Sequence, residues 1–240
     1  MDHDRGYRTL GRSGLGEASL CVGTMMFGDR TDEAEARTIL AIARDRGINF
    51  GDTADAYGRG ESERITGRLV AAERNHWVLA TKVGNPMSRD RGCRGLSRRW
   101  IMRAIDDSLQ RLGTDHVDIY YLHKEDHATP LAETIAALGD LVRNGKIRYY
   151  GVSNYRAWRI AEIVRIAADL GVPPPVVCQP YYNAMNRMPE TEVLPACGHY
   201  GIGVACYSPI ARGVLTAKYR PGEPPPEDTR AGRQDKRLMQ

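Results

Sequence analysis

The sequence has few aromatic residues and no long apolar run. Phe, Trp and Tyr together make up 7% of the 240 residues, and no apolar stretch approaches the ~20 residues that cross a bilayer. Residues 2–5 are polar or charged, so no signal peptide is visible at the start. Although the net charge is +4, no basic stripe with interleaved aromatic residues is present. These absences argue against a membrane protein and a nucleic-acid-binding protein, and they predict a cytoplasmic location.

Cysteine is scarce, and its spacing does not suggest a disulfide framework. The five cysteines are odd in number and far apart in the chain, which is typical of a protein in a reducing compartment. Cys21, Cys178 and Cys206 lie in apolar strand-like runs, where cysteine usually acts as a small hydrophobic residue. We therefore expect these three side chains to be buried. The remaining two cysteines are Cys93 and Cys197.

Short apolar runs alternate with helical patterns through most of the chain. The runs predict seven strands, at residues 20–24, 47–50, 76–82, 117–122, 147–152, 176–179 and 203–207. Because a helix follows each strand, the sheet should be all parallel with right-handed crossovers. Seven such units in residues 20–219 favour a (β/α)₈ TIM barrel over a doubly wound sheet. No Gly-x-Gly-x-x-Gly joins a strand to a helix, which counts against a Rossmann fold.

The two ends of the chain depart from this alternation. Residues 7–19 hold two short strands around a Gly/Ser turn, which predicts a β-hairpin. Residues 220–240 are rich in proline and charge, so we expect a loop or tail there. No eighth strand is visible, which predicts an incomplete barrel within a single domain, 1–240, with a gap between the first and seventh strands. We therefore expect the 240 residues to be part of a longer natural polypeptide.

Four chemically active side chains follow or end predicted strands. Asp52 and Tyr57 come directly after the second strand, Lys82 ends the third, and His123 follows the fourth. Active sites of parallel α/β proteins lie at the carboxyl ends of the strands. Each residue alone has a structural alternative, such as a helix cap or turn residue for Asp52. Because all four fall at strand ends, we predict that they converge on one pocket.

Tyrosine beside lysine is a known device for proton transfer. A free phenol ionises near pH 10, and a nearby ammonium group such as that of Lys82 lowers this pKa. Asp52 would hold Lys82 in place, while a histidine can orient a substrate oxygen. This set suits carbonyl reduction, with Tyr57 protonating the oxygen. Because no side chain supplies a hydride, a nicotinamide cofactor is implied.

Later strand ends carry groups that could bind such a cofactor. Ser153, Asn154 and Gln179 could hold a carboxamide group, although serine and asparagine are also common in turns. Tyr207 could stack on a flat ring, although an isolated aromatic residue is more often part of the core. His123 is four positions from a second histidine, but no further ligand set is evident, so we expect no metal site.

The chain resembles the aldo-keto reductase superfamily, as a bacterial member of the branch that also contains the potassium-channel β-subunits. The similarity runs from residue 7 to about residue 219. It is carried by residues 20–25 (LCVGTM), 51–58 (GDTADAYG), 81–82 (TK), 121–123 (YLH), 151–154 (GVSN), 179 (Q) and 207–216 (YSPIARGVLT). The resemblance implies NADPH-dependent reduction of a small aldehyde or ketone. It also implies that the N-terminal hairpin plugs the barrel floor.

The resemblance assigns a role to each candidate residue. Tyr57 would be the general acid, Lys82 and Asp52 its tuning pair, and His123 the group that orients the substrate. Cofactor contacts are implied for Gly23, Thr24, Met25, Asp52, Ser153, Asn154, Gln179, Tyr207, Ser208, Pro209, Ile210, Gly213 and Leu215.

The end of the sequence departs from the family pattern. The eighth strand and last helix of the family carry most contacts to the adenosine 2′-phosphate, and nothing after Tyr219 matches them. Arg230, Arg233, Lys236 and Arg237 would belong to the cofactor loop or to a solvated tail. Two functions stay open, namely an active reductase, which could be oligomeric, and a non-catalytic nicotinamide-binding regulatory or assembly protein.

Overall fold

A computed structural model describes residues 6–220 and 222–235 of the chain. The strands in this part are β1 (Tyr7–Thr9), β2 (Gly16–Ala18), β3 (Cys21–Gly23), β4 (Phe50–Asp52), β5 (Val78–Val83), β6 (Val117–Leu122), β7 (Ile147–Ser153), β8 (Val177–Gln179) and β9 (Gly203–Val204). The α-helices are α1 (Glu33–Asp45), α2 (Glu61–Val70), α3 (Arg98–Leu112), α4 (Leu131–Arg143), α5 (Ala157–Asp169) and α6 (Val193–Tyr200).

The seven strands β3 to β9 form one parallel sheet in chain order. Its register places Gly23 opposite Asp52, Lys82 opposite Tyr121, and Ser153 beside Gln179. The polar ends of the strands therefore lie along one rim of the curled sheet. Within the described residues, β3 and β9 are hydrogen-bonded on one side only. The predicted seven-stranded incomplete barrel, open between the first and last parallel strands, is confirmed.

The helices cover the sheet because their apolar residues recur at helical spacing, as α3 illustrates. The Ser97 side chain accepts a hydrogen bond from the Trp100 amide at the start of α3, and Gly113 ends it in a left-handed conformation. Ile101 and Ile105 lie one turn apart and are fully buried. Each such side chain contributes roughly 1.5–3 kcal/mol through burial. Packing of this kind fixes the position of the strand that follows each helix, and therefore the position of the side chains at the end of that strand.

The antiparallel hairpin β1–β2 closes the amino-terminal end of the sheet. Gly11 has a φ of +56°, and a Cβ there would lie 2.6 Å from the Val176 carbonyl oxygen. The Arg12 amide donates to the Gly201 carbonyl at 2.8 Å. Leu10 reaches the interior, where it packs with Phe50, Val78, Ala80, Ile119, Tyr121 and Val177. The hairpin thus plugs the floor, as predicted.

An open groove of about 520 Å³ separates β3 from β9. Cys21 and Cys206 line this groove from opposite edges and are exposed, whereas Cys178 is buried. The prediction that all three are buried is therefore wrong for two of them, because none of the described strands covers these edge residues. Glu17 also lines the groove, and its Oε2 atom is buried without a hydrogen-bond partner. Burial raises the pKa of Glu17 to about 7.

The described residues after β9 return to the carboxyl end of the sheet. Residues 222–235 form successive turns around the buried Thr229 rather than an extended loop. Arg30 makes an ion pair with Asp235 at 3.4 Å. Lys236 and Arg237, named above as candidate cofactor residues, lie outside the described residues. Over residues 6–220 and 222–235, no helix has the length and apolar character needed to cross a membrane.

Candidate functional site

A pocket of about 510 Å³ lies at the carboxyl ends of the parallel strands. It draws residues from the loops that follow β3 to β9, so distant parts of the sequence meet there. The lining residues are Gly23, Met25, Met26, Asp52, Ala56, Tyr57, Asn85, His123, Ser153, Asn154, Gln179, Tyr207, Ser208, Arg212 and Arg230.

Lys82 lies beneath this pocket and is fully buried. Its Nζ atom donates to Asp52 Oδ2 at 2.5 Å and to the Thr53 carbonyl oxygen at 2.8 Å. Burial alone lowers the pKa of Lys82, but the charges of Asp52 and Tyr57 offset this, and the net shift is upward. Lys82 therefore carries a positive charge directly under the pocket at neutral pH.

Tyr57 presents its phenol oxygen to that charge. The Lys82 Nζ atom donates to the phenol oxygen at 3.4 Å, and it lies 5.0 Å from the ring centre. Gly58 and Arg59 have φ values of 55° and 54°, a left-handed pair that turns the chain sharply after Tyr57. Left-handed backbone is costly for arginine, and such strain is concentrated at functional sites.

The pKa of Tyr57 differs from the expectation. Burial raises this pKa most, and Asp52 raises it further, while Lys82 lowers it. The net shift is upward rather than downward, because desolvation of the phenolate outweighs the ammonium charge. The phenol is therefore protonated at neutral pH in the free protein.

His123 forms the wall of the pocket beside Tyr57, with ring centres 5.8 Å apart and planes at 83°. Its Nδ1 atom lies 3.0 Å from the Asn85 side-chain amide nitrogen. Burial lowers the pKa of His123 to about 3, with further lowering by Lys82 and Lys124. The imidazole is therefore neutral, so that one ring nitrogen donates a hydrogen bond and the other accepts one.

The ends of β7 and β8 form a connected polar group on the far side of the pocket. Ser153 Oγ donates to the backbone carbonyl oxygen of Gln179 at 2.9 Å. Asn154 has a φ of 60°, and its side-chain amide donates to the His123 carbonyl oxygen at 3.0 Å. The Tyr207 hydroxyl donates to Asn154 Oδ1 at 2.8 Å. The structure thus brings together all of the strand-end residues that the sequence singled out here.

Tyr207 is supported on one face by another aromatic ring. Tyr181 stacks on it with ring centres 5.3 Å apart and planes at 27°. The Arg212 guanidinium lies 5.3 Å from the centre of the Tyr181 ring. Because Tyr207 also lines the pocket, it is held as a flat, rigid surface at the pocket edge.

The segment after Tyr207 contains several left-handed residues. Ser208, Ala211, Arg212, Gly213 and Ala217 have φ values of 54°, 48°, 57°, 100° and 59°. Left-handed residues next to right-handed ones aim successive backbone amides at a common point, which favours anions. Ser208 and Arg212 also line the pocket. This segment has the chemistry of a site for a phosphate or diphosphate group.

A buried charge cluster braces the pocket from behind. Glu63 accepts from Thr81 Oγ1 and from Arg111 Nε, both at 2.6 Å, which ties α2 to β5 and α3. Asp55 lies near this cluster with neither carboxyl oxygen hydrogen-bonded. Burial, then the charge of Glu63, raises the pKa of Asp55 to about 8. Asp55 is therefore protonated at neutral pH.

A model of the aldo/keto reductase family matches residues 19–238. The chain belongs to the aldo/keto reductase family. Membership of this family and its similarity to oxidoreductases identify the chain as an oxidoreductase. Proteins of the family generally act on small carbonyl compounds with a nicotinamide cofactor.

Three relatives show the breadth of this family. A protein of Arabidopsis thaliana named "Probable voltage-gated potassium channel subunit beta" is 39% identical over 226 residues, which cover 91% of this chain and 68% of the relative. The "Uncharacterized oxidoreductase YrpG" of Bacillus subtilis is 40% identical, over 88% of this chain and 68% of its own length. The "L-glyceraldehyde 3-phosphate reductase" of Escherichia coli O157:H7 is 35% identical, over 97% of this chain and 68% of its own length.

The pocket residues fit the nicotinamide cofactor of the aldo/keto reductase family. Tyr207 offers a supported ring face for a flat group, and Ser153, Asn154 and Gln179 offer polar groups for a carboxamide. The left-handed segment after Tyr207 and the positively charged residue Arg230, which lines the pocket, suit the phosphates. Among the described residues, no group of three or more His, Cys, Asp or Glu side chains is arranged to hold a metal ion.

Five of the residues that the resemblance assigned to the cofactor lie outside the pocket lining. Thr24 is buried beneath the pocket, where its hydroxyl bonds to Ser62 Oγ at 2.8 Å, so it supports the loop after β3. Pro209 lines the groove between β3 and β9. The other three, Ile210, Gly213 and Leu215, are in the segment after Tyr207 but do not contribute to the pocket lining.

Other pocket residues of this aldo/keto reductase were not predicted. Asn85 lies three positions after Lys82, and its place beyond a strand end was a usable signal. Met26 carried no signal, because a methionine in apolar surroundings usually indicates core. The same holds for Tyr181, which lies outside the pocket lining and stacks on Tyr207. Arg212 lay within a recognised motif, but only the structure brings its side chain to the pocket.

Proposed function

We propose that the protein is an NADPH-dependent reductase of aldehydes or ketones in which Tyr57 is the general acid. The observation that carries this proposal is the contact among three groups at the pocket floor. Lys82 is buried with its Nζ atom 2.5 Å from Asp52 and 3.4 Å from the Tyr57 oxygen. A buried ammonium group beside a phenol stabilises the phenolate that forms when the phenol gives up its proton.

Tyr57 donates its proton to the substrate oxygen as the carbonyl is reduced. When bound, the reduced nicotinamide supplies the hydride that attacks the carbonyl carbon. The upward-shifted pKa of Tyr57, caused mainly by burial, keeps the phenol protonated until the substrate oxygen becomes basic. Lys82 then stabilises the phenolate that remains, and Asp52 keeps Lys82 charged and in position.

His123 is proposed to orient the substrate rather than to protonate it. Its pKa is lowered to about 3, mainly by burial, so the ring holds no spare proton at neutral pH. A neutral imidazole still donates one hydrogen bond. Its position beside the Tyr57 ring allows it to bind the same oxygen that Tyr57 protonates.

The cofactor is proposed to lie along the rim from β7 to the segment after Tyr207. Ser153, Asn154 and Gln179 would hold the carboxamide, and Tyr207 would stack on the nicotinamide ring. The left-handed residues after Tyr207 would bind the diphosphate. A preference for NADPH over NADH is proposed because Arg230, a residue suited to phosphate binding, lines the same pocket.

The substrate class is proposed from the site and from a relative. The pocket of about 510 Å³ would have to admit the nicotinamide end of the cofactor together with the substrate, which favours a compact substrate. The relative in Escherichia coli is named as a reductase of L-glyceraldehyde 3-phosphate, which is a short aldehyde. Short aldehydes are therefore the first substrates to test.

A nicotinamide-binding protein without turnover is the second candidate. It is favoured by the 39% identity to a protein named as a probable potassium channel subunit beta. The two functions differ in one property, which is whether the bound cofactor is consumed.

The deciding experiment measures cofactor binding and cofactor consumption on the same sample. Binding is followed by quenching of protein fluorescence with NADPH. Turnover is followed by loss of NADPH absorbance, first with L-glyceraldehyde 3-phosphate as a short aldehyde and then with the reactive aldehyde 4-nitrobenzaldehyde. The reductase proposal expects both signals. It also expects Tyr57→Phe to lower kcat by roughly 10²–10⁴-fold, the usual effect of a general acid, with an unchanged Kd for NADPH.

The matched control is Tyr200→Phe, which removes a hydroxyl from α6, away from the pocket. It should leave both kcat and Kd unchanged. Binding without turnover in the wild type would favour the second candidate, and absence of binding would contradict both. Retention of more than about a tenth of the activity by Tyr57→Phe would contradict the role of Tyr57.

A further inference from the structure

Asn85 holds the ring of His123 through a contact that neither the family nor the sequence assigns. Its side-chain amide nitrogen lies 3.0 Å from His123 Nδ1, and both residues line the pocket. We propose that Asn85 is a positioning residue that fixes the neutral His123 tautomer, with the proton on Nε2 and Nε2–H presented to the substrate oxygen. This inference rests on the reductase proposal made above.

The tautomer follows from what each atom can do in a hydrogen bond. The NH₂ group of an asparagine side chain only donates, so the His123 Nδ1 atom that it contacts must accept. A neutral imidazole carries a single ring proton. With Nδ1 accepting, that proton is on Nε2. The opposite tautomer would turn two donors toward each other and would leave Nε2 unable to donate to a carbonyl oxygen.

The backbone around His123 is already fixed, which leaves ring rotation as the freedom that Asn85 removes. The His123 amide donates to the Val83 carbonyl oxygen at 2.8 Å. Its own carbonyl oxygen accepts from the Asn154 side chain at 3.0 Å. These bonds tie the start of the β6–α4 loop to β5 and β7, but neither contacts the imidazole. Asn85 makes the one hydrogen bond to the ring within the described residues.

Asn85 is itself held by the loop that follows β5. Gly84 has a φ of +125°, and a Cβ there would meet Leu96 at 3.2 Å, so the chain turns closely against its neighbour. The Gly95 amide donates to the Gly84 carbonyl oxygen at 3.1 Å, which closes the base of the loop. The anchored backbone places the Asn85 side chain over Nδ1 before any substrate arrives. Pre-arranged groups of this kind lower the reorganisation needed at the transition state.

Nitrogen-15 NMR of the His123 side chain tests this inference in the cofactor-free protein. The spectrum reports which ring nitrogen carries the proton, and His123→Gln identifies the His123 signals by their loss. The wild type should show Nε2 protonated and Nδ1 bare. Asn85→Ala should show a mixture of tautomers. In Asn85→Asp the carboxylate can only accept a hydrogen bond, so it should favour the tautomer in which Nδ1 carries the proton and donates it in that bond.

Kinetics of the same variants separate positioning from folding. Asn85→Ala should lower kcat about 2- to 10-fold, the effect of one neutral hydrogen bond, with little change in the Kd for NADPH. Asn85→Asp has nearly the same shape but reverses the bond, so its kcat should fall further. The control Asn144→Asp makes the same chemical change at the exposed end of α4 and should alter neither the spectrum nor kcat.

Each outcome decides between the two proposals. Protonated Nδ1 in the wild type, or an unchanged tautomer and kcat in Asn85→Ala, would overturn the role of Asn85. The expected wild-type spectrum without turnover of any aldehyde would instead overturn the reductase proposal alone, because the tautomer is measured in the free protein.

Discussion

At the scale of single residues, Lys82 makes a structural ion pair and also has the chemical role proposed above. It is buried against Asp52 and also donates to the Tyr57 oxygen. Loss of one partner of a buried ion pair leaves an uncompensated charge, which typically costs about 3–5 kcal/mol. Any single substitution here therefore confuses an effect on folding with an effect on chemistry.

A pair of variants should separate the two tasks of Lys82. Lys82→Met should lower the free energy of unfolding by about 3–5 kcal/mol, because Asp52 is left buried and unpaired. Adding Asp52→Asn should restore most of that stability without restoring turnover, since the phenolate of Tyr57 still lacks its cation. Denaturant unfolding and NADPH consumption measure the two effects. Recovery of activity in the double variant would refute the assignment of Lys82.

Tyr207 permits a second test at this scale. Tyr207→Ala should weaken NADPH binding by about 1–2 kcal/mol, the size of a lost aromatic stack with its buried area. The stack of Tyr181 on its other face should keep the ring in place without cofactor. Fluorescence titration with NADPH measures the change. A Kd equal to that of the wild type would mean that Tyr207 is a packing residue.

The sequence indicated the pocket residues at strand ends more easily than the residues that hold those side chains in position. Asp52, Lys82 and His123 were predictable because strand ends in a parallel sheet meet at one rim. The net pKa shift of Tyr57 was not, since burial has to be weighed against the charge of Lys82. The place of Asn85 beyond a strand end was a usable signal, but its contact with His123 depends on the path of the loop after β5, which no periodicity encodes.

At the scale of elements, the hairpin carries a buried acid that should make stability depend on pH. Glu17 lines the groove, and burial raises its pKa from 4.5 to about 7. The folded state therefore binds this proton more tightly than the unfolded state. Stability from Glu17 is fully present below about pH 4.5 and is lost as the pH rises through about 7.

Glu17→Gln should remove this pH dependence. The raised pKa corresponds to at most about 3 kcal/mol, so the variant should be more stable than the wild type by up to that amount near pH 8. The two should converge as the pH approaches 4.5. Denaturant unfolding across this range measures the difference. Glu35→Gln, on the exposed face of α1, serves as the control and should follow the wild type at every pH.

The elements show where local sequence signals are sufficient. The limits of α3 were predictable from Ser97 and Gly113, because capping depends on neighbouring residues alone. The last strand was predicted over residues 203–207, but β9 covers Gly203–Val204. Beyond it, Tyr207 pairs through an isolated bridge to Tyr181. Strand length depends on the partner strand, and among the strands that the structure describes only β8 lies beside β9.

At the scale of the whole molecule, the parallel sheet formed by residues 6–220 and 222–235 is curled but not closed. Alternating strands and helices were enough to predict a barrel, and the missing eighth strand was enough to predict the gap. The exposure of Cys21 and Cys206 was missed because burial was inferred from apolar neighbours in sequence. In a closed barrel those neighbours suffice, whereas along an open edge the cover must come from another strand.

The open edges of the sheet also set an order in which its amide protons should exchange with solvent. In a closed barrel every strand is hydrogen-bonded to a neighbour on both sides. In this open sheet we expect the protection of backbone amides to be greatest in the central strands β5, β6 and β7 and to fall toward the edge strands β3 and β9. Local opening from either edge needs fewer broken bonds than global unfolding. Native-state hydrogen exchange followed by mass spectrometry would measure this gradient. Equal protection of β3 and β6 would show that the edges do not open independently of the sheet centre.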